Sequence, residues 1–291
     1  MGGWDSFEAA GFDVNRAQSA RVYNRLLGGK DNYHMDQAAA ARVEQAFPSA
    51  AQAARANRNF MVCSTRYLAE AGVSQFLDIG VGIPEKPDLH EVAQEVNPAA
   101  RVVHVDNDVV VLAHARALLC GTEQGRVEVL EADARDPVAM MRTVRGSGVL
   151  DFSQPVAVSL IGILPLLGSG DEPYAIVDAV TDALAPGSYL STTHLTADFD
   201  AKAIGAVVEV YEEHGIGVRA RTREEFARFF EGRELIAPGI TTPDRWRPRA
   251  GPVQSSVTDA SAAPRTGPLL VTLERRRDAR NSMYAGVARV L

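Results

Sequence analysis

The pattern that most limits the fold of this chain is an alternation of apolar runs and amphipathic helical segments from residue 73 onward. Five apolar runs precede helical segments, at 75–80, 101–107, 126–133, 156–163 and 187–195. Strands that alternate with helices form a mainly parallel sheet with helices on both faces. Further strand candidates follow at 233–240, in "GPLLVTLERRR" and in "YAGVARVL". The sequence therefore predicts an α/β fold with a doubly wound, Rossmann-like sheet.

The first 72 residues have a different pattern, which is helical from Ala17 to about Gly72. We expect residues 1–72 to form a helical lid on a sheet domain of residues 73–291, with insertions around 196–230 that add to a substrate pocket. The turn "LLGGKDNYHMD" contains more polar groups than capping needs. Lys30 and Tyr33 in this turn are therefore candidate substrate contacts, although an ordinary turn between helices is the alternative.

Charge and apolar content limit the possible partners. The net charge of −7 argues against a nucleic-acid partner, which requires clustered Lys and Arg side chains. The sequence has no apolar run of the roughly 20 residues that a membrane span needs. Its two cysteines, Cys63 and Cys120, lie in apolar surroundings and are expected to be buried and reduced. These features predict a cytoplasmic protein with no nucleic-acid partner and no membrane contact; they do not predict the oligomeric state.

The segment "FLDIGVGIPEKPDLHEVAQ", residues 76–94, is typical of a buried strand, a glycine loop and a helix. A dinucleotide-binding loop would have a third glycine where Glu85 stands, and a Walker loop would continue with Gly-Lys-Ser/Thr. A carboxylate at this position would repel a phosphate group near the helix N-terminus. The loop therefore favours a nucleoside ligand without phosphate, such as S-adenosylmethionine.

Acidic residues close three successive predicted strands, at Asp78, Asp106 and Asp133. Gly80 and Gly82 allow a ligand to approach the backbone closely. Asp78 is placed to accept hydrogen bonds from the loop amides or a ligand ammonium group, Asp106 to bind both ribose hydroxyls, and Asp133 to face the adenine amino group. The alternative is that each acid only caps a turn. Three acids at adjacent strand ends favour a cationic, hydroxyl-rich ligand.

Several motifs together make the prediction more specific. They are "RVYNRLLGGKDNYHMD", "AARANRNF", "QFLDIGVGIP", "LHEVAQEVNPAARVVHVDND", "VLAHARALL", "ALAPGSYL" and "YAGVARV". They resemble an actinobacterial family of S-adenosyl methyltransferases. The resemblance implies a class I methyltransferase fold, with a seven-stranded sheet and S-adenosylmethionine bound at the glycine loop. It also makes Arg58 a candidate to pair with the methionine carboxylate, with a solvated surface arginine as the alternative. His90, near the start of a helix, is a candidate contact of the cofactor tail, with an indirect role through a hydrogen bond as the alternative. Further candidate cofactor contacts are Asn107, Ala134 and Ile161.

Three departures from the family pattern leave the reaction open. Val81 stands where the family usually has Thr, Asp88 near a usual Asn, and Pro165-Leu166 where a His-aromatic pair is usual. Methyl transfer to a small molecule is the first hypothesis. The alternatives are an enzyme that cyclises or eliminates the amino-acid tail of S-adenosylmethionine, and a regulatory protein that binds the cofactor without catalysis.

Two further questions concern histidines and metals. His194, near the end of the fifth predicted strand, is a candidate catalytic residue, with a satisfied structural histidine as the alternative. His104, Asp106 and Asp108 have the spacing of metal ligands. Asp108 is better explained as a helix N-cap, so no metal site is predicted.

Overall fold

The computed structural model describes residues 13–247 and 268–291. Three helices come first and are followed by the alternating region. The elements are α1 (Ser19–Leu27), α2 (His34–Ala46), α3 (Ala50–Glu70), β1 (Gln75–Ile79), α4 (Leu89–Val96), β2 (Arg101–Asp106), α5 (Val109–Leu118), β3 (Arg126–Glu131), α6 (Pro137–Gly146), β4 (Ala157–Leu160), α7 (Pro173–Asp182), β5 (Tyr189–Leu195), α8 (Ala201–Glu213), α9 (Arg223–Ala227), β6 (Arg233–Leu235), α10 (Pro268–Asn281) and β7 (Met283–Val290).

The strands form one seven-stranded sheet in the order β3-β2-β1-β4-β5-β7-β6. The first five strands in this order are parallel to their neighbours, and β7 runs antiparallel to both β5 and β6. The predicted fold class is confirmed. The winding reverses between β1 and β4, and open α/β sheets bind ligands outside the carboxyl ends of the strands at such a point.

The central strands are apolar because helices cover both faces of the sheet. Every residue of β1 and of β4 is buried. Leu77 packs with α6 and α7 on one face, whereas Phe76 packs with α3 and α4 on the other. The two faces hold β1 rigidly, and the loop that follows it therefore leaves the sheet at a fixed position.

The N-terminal helices and α8 form a helical layer at the carboxyl edge of the sheet. Val22 of α1 and Val43 of α2 share an apolar cluster with Ile204 and Val207 of α8. Gly28 ends α1 in the left-handed conformation, with φ 93°, as the sequence predicts. The 196–230 region thus packs against the N-terminal segment. A substrate pocket formed by both segments requires this contact.

Several local predictions are wrong. The strand predicted in "GPLLVTLERRR" is part of the helix α10, because the apolar run continues into the charged, straight-chain residues of "ERRRDARN", which favour a helix. The strand predicted at 233–240 ends at Leu235, ahead of the turn at Pro238 and Gly239. The predicted loop at 241–267 lies largely outside the described residues, as do residues 1–12.

The two cysteines are free thiols, but they are not buried as expected. Cys63 is half-buried and Cys120 is exposed. Cys120 follows the last turn of α5, where the apolar face of the helix no longer reaches the core. Of the helices in the described ranges, none has the length and apolar content needed to cross a membrane.

Candidate functional site

A cavity of about 510 Å³ opens at the carboxyl ends of the central strands, beneath α1, α3 and α8. Strand ends, the loops that follow them and one face of α3 form its walls. The cavity brings together most of the residues predicted to bind the cofactor: Arg58, Asp78, Gly80, Gly82, Asp106, Asn107, Asp133, Ala134 and Ile161.

The glycine loop leaves β1 through two residues with positive φ, Gly80 at 79° and Gly82 at 67°. The amides of Gly80 and Val81 donate to the carbonyl of Val105, at 2.7 and 3.2 Å. A Cβ atom at Gly80 would lie 2.0 Å from Cδ1 of Ile163, whereas one at Gly82 would meet no heavy atom within 4 Å. Gly80 therefore packs against the loop after β4, and the backbone at Gly82 faces the open cavity.

Asp106 joins this loop to the end of β2. Its Oδ2 accepts from the amide of Gly82 at 3.0 Å, and its Oδ1 accepts from the amides of Asn107 and Asp108 at 2.9 and 3.0 Å. Burial raises the pKa of this carboxyl above its usual value. An ionised carboxylate has about four acceptor positions, so one position, on Oδ2, remains for a ligand.

Asp108 has the capping role that the sequence predicts. Its Oδ1 accepts from the amides of Val110 and Val111 at the start of α5, at 2.7 and 3.3 Å. In residues 13–247 and 268–291, no group of three or more His, Cys, Asp or Glu side chains is arranged to hold a metal ion.

Asp133 lies at the rim of the cavity, beyond the end of β3. Its Oδ2 accepts from Nδ2 of Asn107 at 3.0 Å and from Nη1 of Arg135 at 3.1 Å. This chain of contacts fixes the three side chains along the edge of the cavity farthest from β4.

The carboxylate of Asp78 contacts a buried histidine. Its Oδ2 lies 3.0 Å from Nδ1 of His104, which is fully buried. His90 packs edge-on against His104, with ring centroids 5.3 Å apart, and burial lowers the pKa of His90. His90 does not line the cavity, because its ring lies behind the strand ends with His104.

Arg58 connects α3 to the loop that leads into α4. Its Nη2 donates to the carbonyl of Glu85 and to that of Pro87, the latter at 3.0 Å. The same atom lies 3.5 Å from Oδ1 of Asp88. Nε of Arg58 is buried and has no hydrogen-bond partner in the structure. This guanidinium is a fixed positive charge on the wall of a cavity that is otherwise rich in carboxylates at this end.

The structure does not bring the three candidate catalytic residues to the cavity. Lys30 is exposed, and Tyr33 lies under the guanidinium of Arg21, 5.2 Å from Cζ to the ring centroid. The segment that does cover the cavity is 16–20, together with Tyr23 and Leu26. The polar turn at 28–34 lies outside the lining residues.

His194 is a buried structural residue. Its Nε2 lies 2.6 Å from Nη1 of Arg221 and its Nδ1 lies 2.8 Å from the carbonyl oxygen of Leu195, while its ring stacks on Phe229. Burial lowers its pKa to about 3, so the ring is neutral at neutral pH. Successive side chains of β5 alternate between the faces of the sheet, which turns His194 away from the cavity.

A pH dependence of stability follows from this burial. The unfolded chain binds a proton at His194 below pH 6.5, whereas the folded chain binds it only near pH 3. The free energy of unfolding should therefore fall as the pH drops through this window, by up to about 1.4 kcal/mol per pH unit from this group. His194→Gln cannot titrate and should lose this part of the slope in urea unfolding curves. An unchanged slope in the variant would contradict the account.

Sequence reasoning missed the polar groups deeper in the cavity. The hydroxyl of Tyr23 donates to the carbonyl of Ala54 at 3.0 Å and accepts from Nδ2 of Asn57 at 2.9 Å. Burial raises the pKa of Tyr23 and that of Tyr211, each to about 12. A signal was present, because small residues at 50, 53 and 54 with an amide at 57 follow helical spacing along one face of α3.

Comparison with known proteins agrees with the fold. Residues 5–291 match the model of a family described as S-adenosyl methyltransferase. A DUF574 family protein from Streptomyces avermitilis has 37% identity and a TM-score of 0.85, covering 96% of this chain and all of that one. A structure from Thermobifida fusca, described as a candidate methyltransferase, has 39% identity and a TM-score of 0.80, covering 96% of this chain and 97% of that one. Curated proteins gave no match.

Proposed function

Since this chain belongs to the S-adenosyl methyltransferase family, we propose that it transfers the methyl group of S-adenosylmethionine to a small-molecule acceptor bound in the same cavity. The cofactor supplies a methyl group that its sulfonium already activates. The protein then has to bind both molecules in line and to exclude water.

The observation that carries the proposal is a cavity with two chemically different halves. The half at the strand ends contains the glycine loop and the carboxylates of Asp78, Asp106 and Asp133. The other half is lined by apolar residues of α1, α2, α3 and α8. Because helices cover this second half, an acceptor must be small enough to enter the cavity, which favours a small molecule.

The residues at the strand ends fit the parts of the cofactor. Asp106 is placed to bind a ribose hydroxyl and Asp133 the adenine edge. Arg58 offers a guanidinium with an unpartnered buried Nε to the methionine carboxylate. Asn107, Ala134 and Ile161 add contacts along the same edge. We leave His90 out of the proposed contacts because it lies behind His104.

The reaction can be tested by following the methyl group. We would incubate the protein with methyl-labelled S-adenosylmethionine and three fractions of a cell extract: compounds below about 1 kDa, protein and RNA. The proposal predicts label only in a compound of the first fraction, together with S-adenosylhomocysteine. Methylthioadenosine with a tail fragment would indicate cyclisation or elimination instead. Label in protein or RNA would contradict the small-molecule assignment, and unchanged cofactor throughout would favour a binding protein.

A substitution at Gly82 tests where the cofactor lies. A new Cβ atom there meets no protein atom but enters the cavity, and φ 67° is strained for alanine by roughly 1–2 kcal/mol. Gly82→Ala should therefore weaken S-adenosylmethionine binding as well as lower stability. Gly148→Ala is the matched control, because Gly148 has φ 64°, an equally open Cβ position and no place in the cavity. Calorimetric titration showing equal affinities for the two variants would place the cofactor elsewhere.

A further inference from the structure

One face of α3 crosses the cavity from its apolar half to its cofactor half. At helical spacing it presents Ala50, Ala53, Ala54, Asn57 and Arg58 to the cavity. The alanines pack in the cluster of α1, α2 and α8, whereas Arg58 is fixed to the loop before α4. Asn57 therefore lies at the border between the two halves.

The apolar half is wide because small residues line α3 opposite larger ones. Its other walls are formed by the side chains of Leu26, Val43, Phe47, Val207 and Ile216. Among the described residues that line this half, Arg16 carries the charged side chain. Arg16 is exposed and donates to the carbonyl of Gly215. The interior of this half suits an uncharged, apolar molecule.

Asn57 carries an unpaired acceptor at the inner end of this half. The residue is 2% exposed, and its Oδ1 is buried with no hydrogen-bond partner in the part of the chain that the structure describes. The hydroxyl of Tyr23 donates to Ala54 and so accepts from Nδ2 of Asn57, which fixes the orientation of the amide. Buried polar atoms normally have a partner, so Oδ1 is a position for a donor hydrogen of a ligand.

Asn57 also lies next to the loop after β4. A Cβ atom at Gly162 would be 3.4 Å from Nδ2 of Asn57, and Gly162 lines the cavity together with Ile161 and Ile163. This loop follows the strand at which the winding of the sheet reverses. A donor group held by Asn57 would therefore be close to the cofactor half.

Among the described residues, the apolar half offers no base that could activate a hydroxyl group. The described residues that line the cavity include no histidine, and their carboxylates, Asp78, Asp106, Asp108 and Asp133, all lie at the ends of β1, β2 and β3. The phenols of Tyr23 and Tyr211 hold their protons at neutral pH, because burial raises their pKa values to about 12. A nucleophile that reacts in its neutral form needs no such base.

We propose that the acceptor is an uncharged, apolar compound whose nucleophile is a neutral nitrogen, and that an N–H of this nitrogen donates to Oδ1 of Asn57. The nitrogen lone pair forms the bond to the methyl carbon, the electrons of the carbon–sulfur bond remain on sulfur, and the nitrogen then releases one proton to water. This inference rests on the proposed function, since it describes the acceptor of the same reaction.

Four probes of one shape test the acceptor class: 4-aminoindane, 4-hydroxyindane, indane and indane-4-carboxylate. Calorimetric titration into the full chain saturated with S-adenosylhomocysteine should show the amine and the alcohol binding more tightly than indane by roughly threefold to tenfold, the range expected for one hydrogen bond. The carboxylate should bind most weakly. With S-adenosylmethionine, label should appear on the amine and not on the alcohol.

Two variants with matched controls assign the contact. Asn57→Leu should remove the advantage of the amine over indane and leave the affinity for S-adenosylhomocysteine unchanged. Ala54→Leu should weaken all four probes by roughly tenfold or more through overpacking. Asn59→Leu and Ala51→Leu, on the same helix but outside the lining, should have neither effect.

Three results would overturn the inference. The first is that the carboxylate binds most tightly of the four probes, and the second is that no probe binds although S-adenosylhomocysteine does. The third is that Asn57→Leu loses affinity for S-adenosylhomocysteine, which would show that Asn57 contacts the cofactor. Absence of S-adenosylhomocysteine binding in the wild type would instead contradict the proposed function itself.

Discussion

Asp106→Ala is expected to weaken S-adenosylmethionine binding by roughly 100-fold or more. A charge-assisted hydrogen bond from the ribose to Oδ2 would be lost, typically worth about 1.5–3 kcal/mol. The variant also loses the contacts of the carboxylate with the amides of Gly82, Asn107 and Asp108, so the glycine loop becomes less well fixed. Both effects act in the same direction on affinity.

Two other variants separate the ribose contact from general damage. Asp106→Asn keeps the shape and one acceptor oxygen and should bind with intermediate affinity. Asp136→Ala removes the N-cap of α6, outside the cavity, and should lower stability by about 1 kcal/mol without changing affinity. Wild-type affinity of Asp106→Ala in a calorimetric titration would exclude Asp106 as the ribose ligand.

Asp36→Ala is expected to destabilise the N-terminal helices by about 3–5 kcal/mol, the typical effect of leaving one partner of a buried ion pair without the other. Oδ2 of Asp36 lies 2.9 Å from Nε of Arg21, and the two side chains are 0% and 1% exposed. The same carboxylate accepts from the amides of Gln18 and Tyr33 at 2.9 and 2.8 Å. It thus ties the segment over the cavity to the start of α2.

The loss should reach the binding site, because Gln18 and its neighbours cover the cavity. Glu213→Ala is the matched control: it breaks the ion pair with Arg42, in which both side chains are about half exposed, and should destabilise the protein far less than Asp36→Ala. Urea unfolding measures both values. A cost below about 1 kcal/mol for Asp36→Ala would show that Asp36 does not hold this segment.

The sequence predicts well those parts of the site that depend on local pattern. The glycine loop and the acids at 78, 106 and 133 follow directly from strand ends, and a parallel sheet brings neighbouring strand ends to one edge. The capping role of Asp108 is local as well, and the structure contains it. These residues can therefore be identified from their position in the chain, without knowledge of tertiary packing.

The predicted catalytic residues that do not reach the cavity are those whose position depends on side-chain orientation and on packing partners. His194 lies at the end of a central strand, but its side chain faces Phe229 and Arg221 on the other side of the sheet. Asn32 of the 28–34 turn bonds within the turn and to α1: its Nδ2 donates to the carbonyl of Gly29 and to Oδ1 of Asn24. Such internal pairing is invisible in the residue types alone.

The apolar half of the cavity could not be predicted, because it forms only when helices that are distant in the chain pack together. Ala53 and Ala54 are ordinary helix residues in the sequence. They become a wall of the cavity because α8, about 150 residues later, packs with α1 and α2 in one cluster. The pairing of Tyr23 with Asn57 likewise joins two helices that are separated along the chain.

The central claim is that S-adenosylmethionine binds in the cavity at the carboxyl ends of β1 and β2, beneath α1. Amide hydrogen exchange of the wild-type protein, with and without the cofactor, tests this most directly. We expect slower exchange at residues 78–82, 106–108 and 133–135, and at 16–26 as the covering segment closes. Unchanged exchange at all of these segments in protein saturated with cofactor would contradict the account.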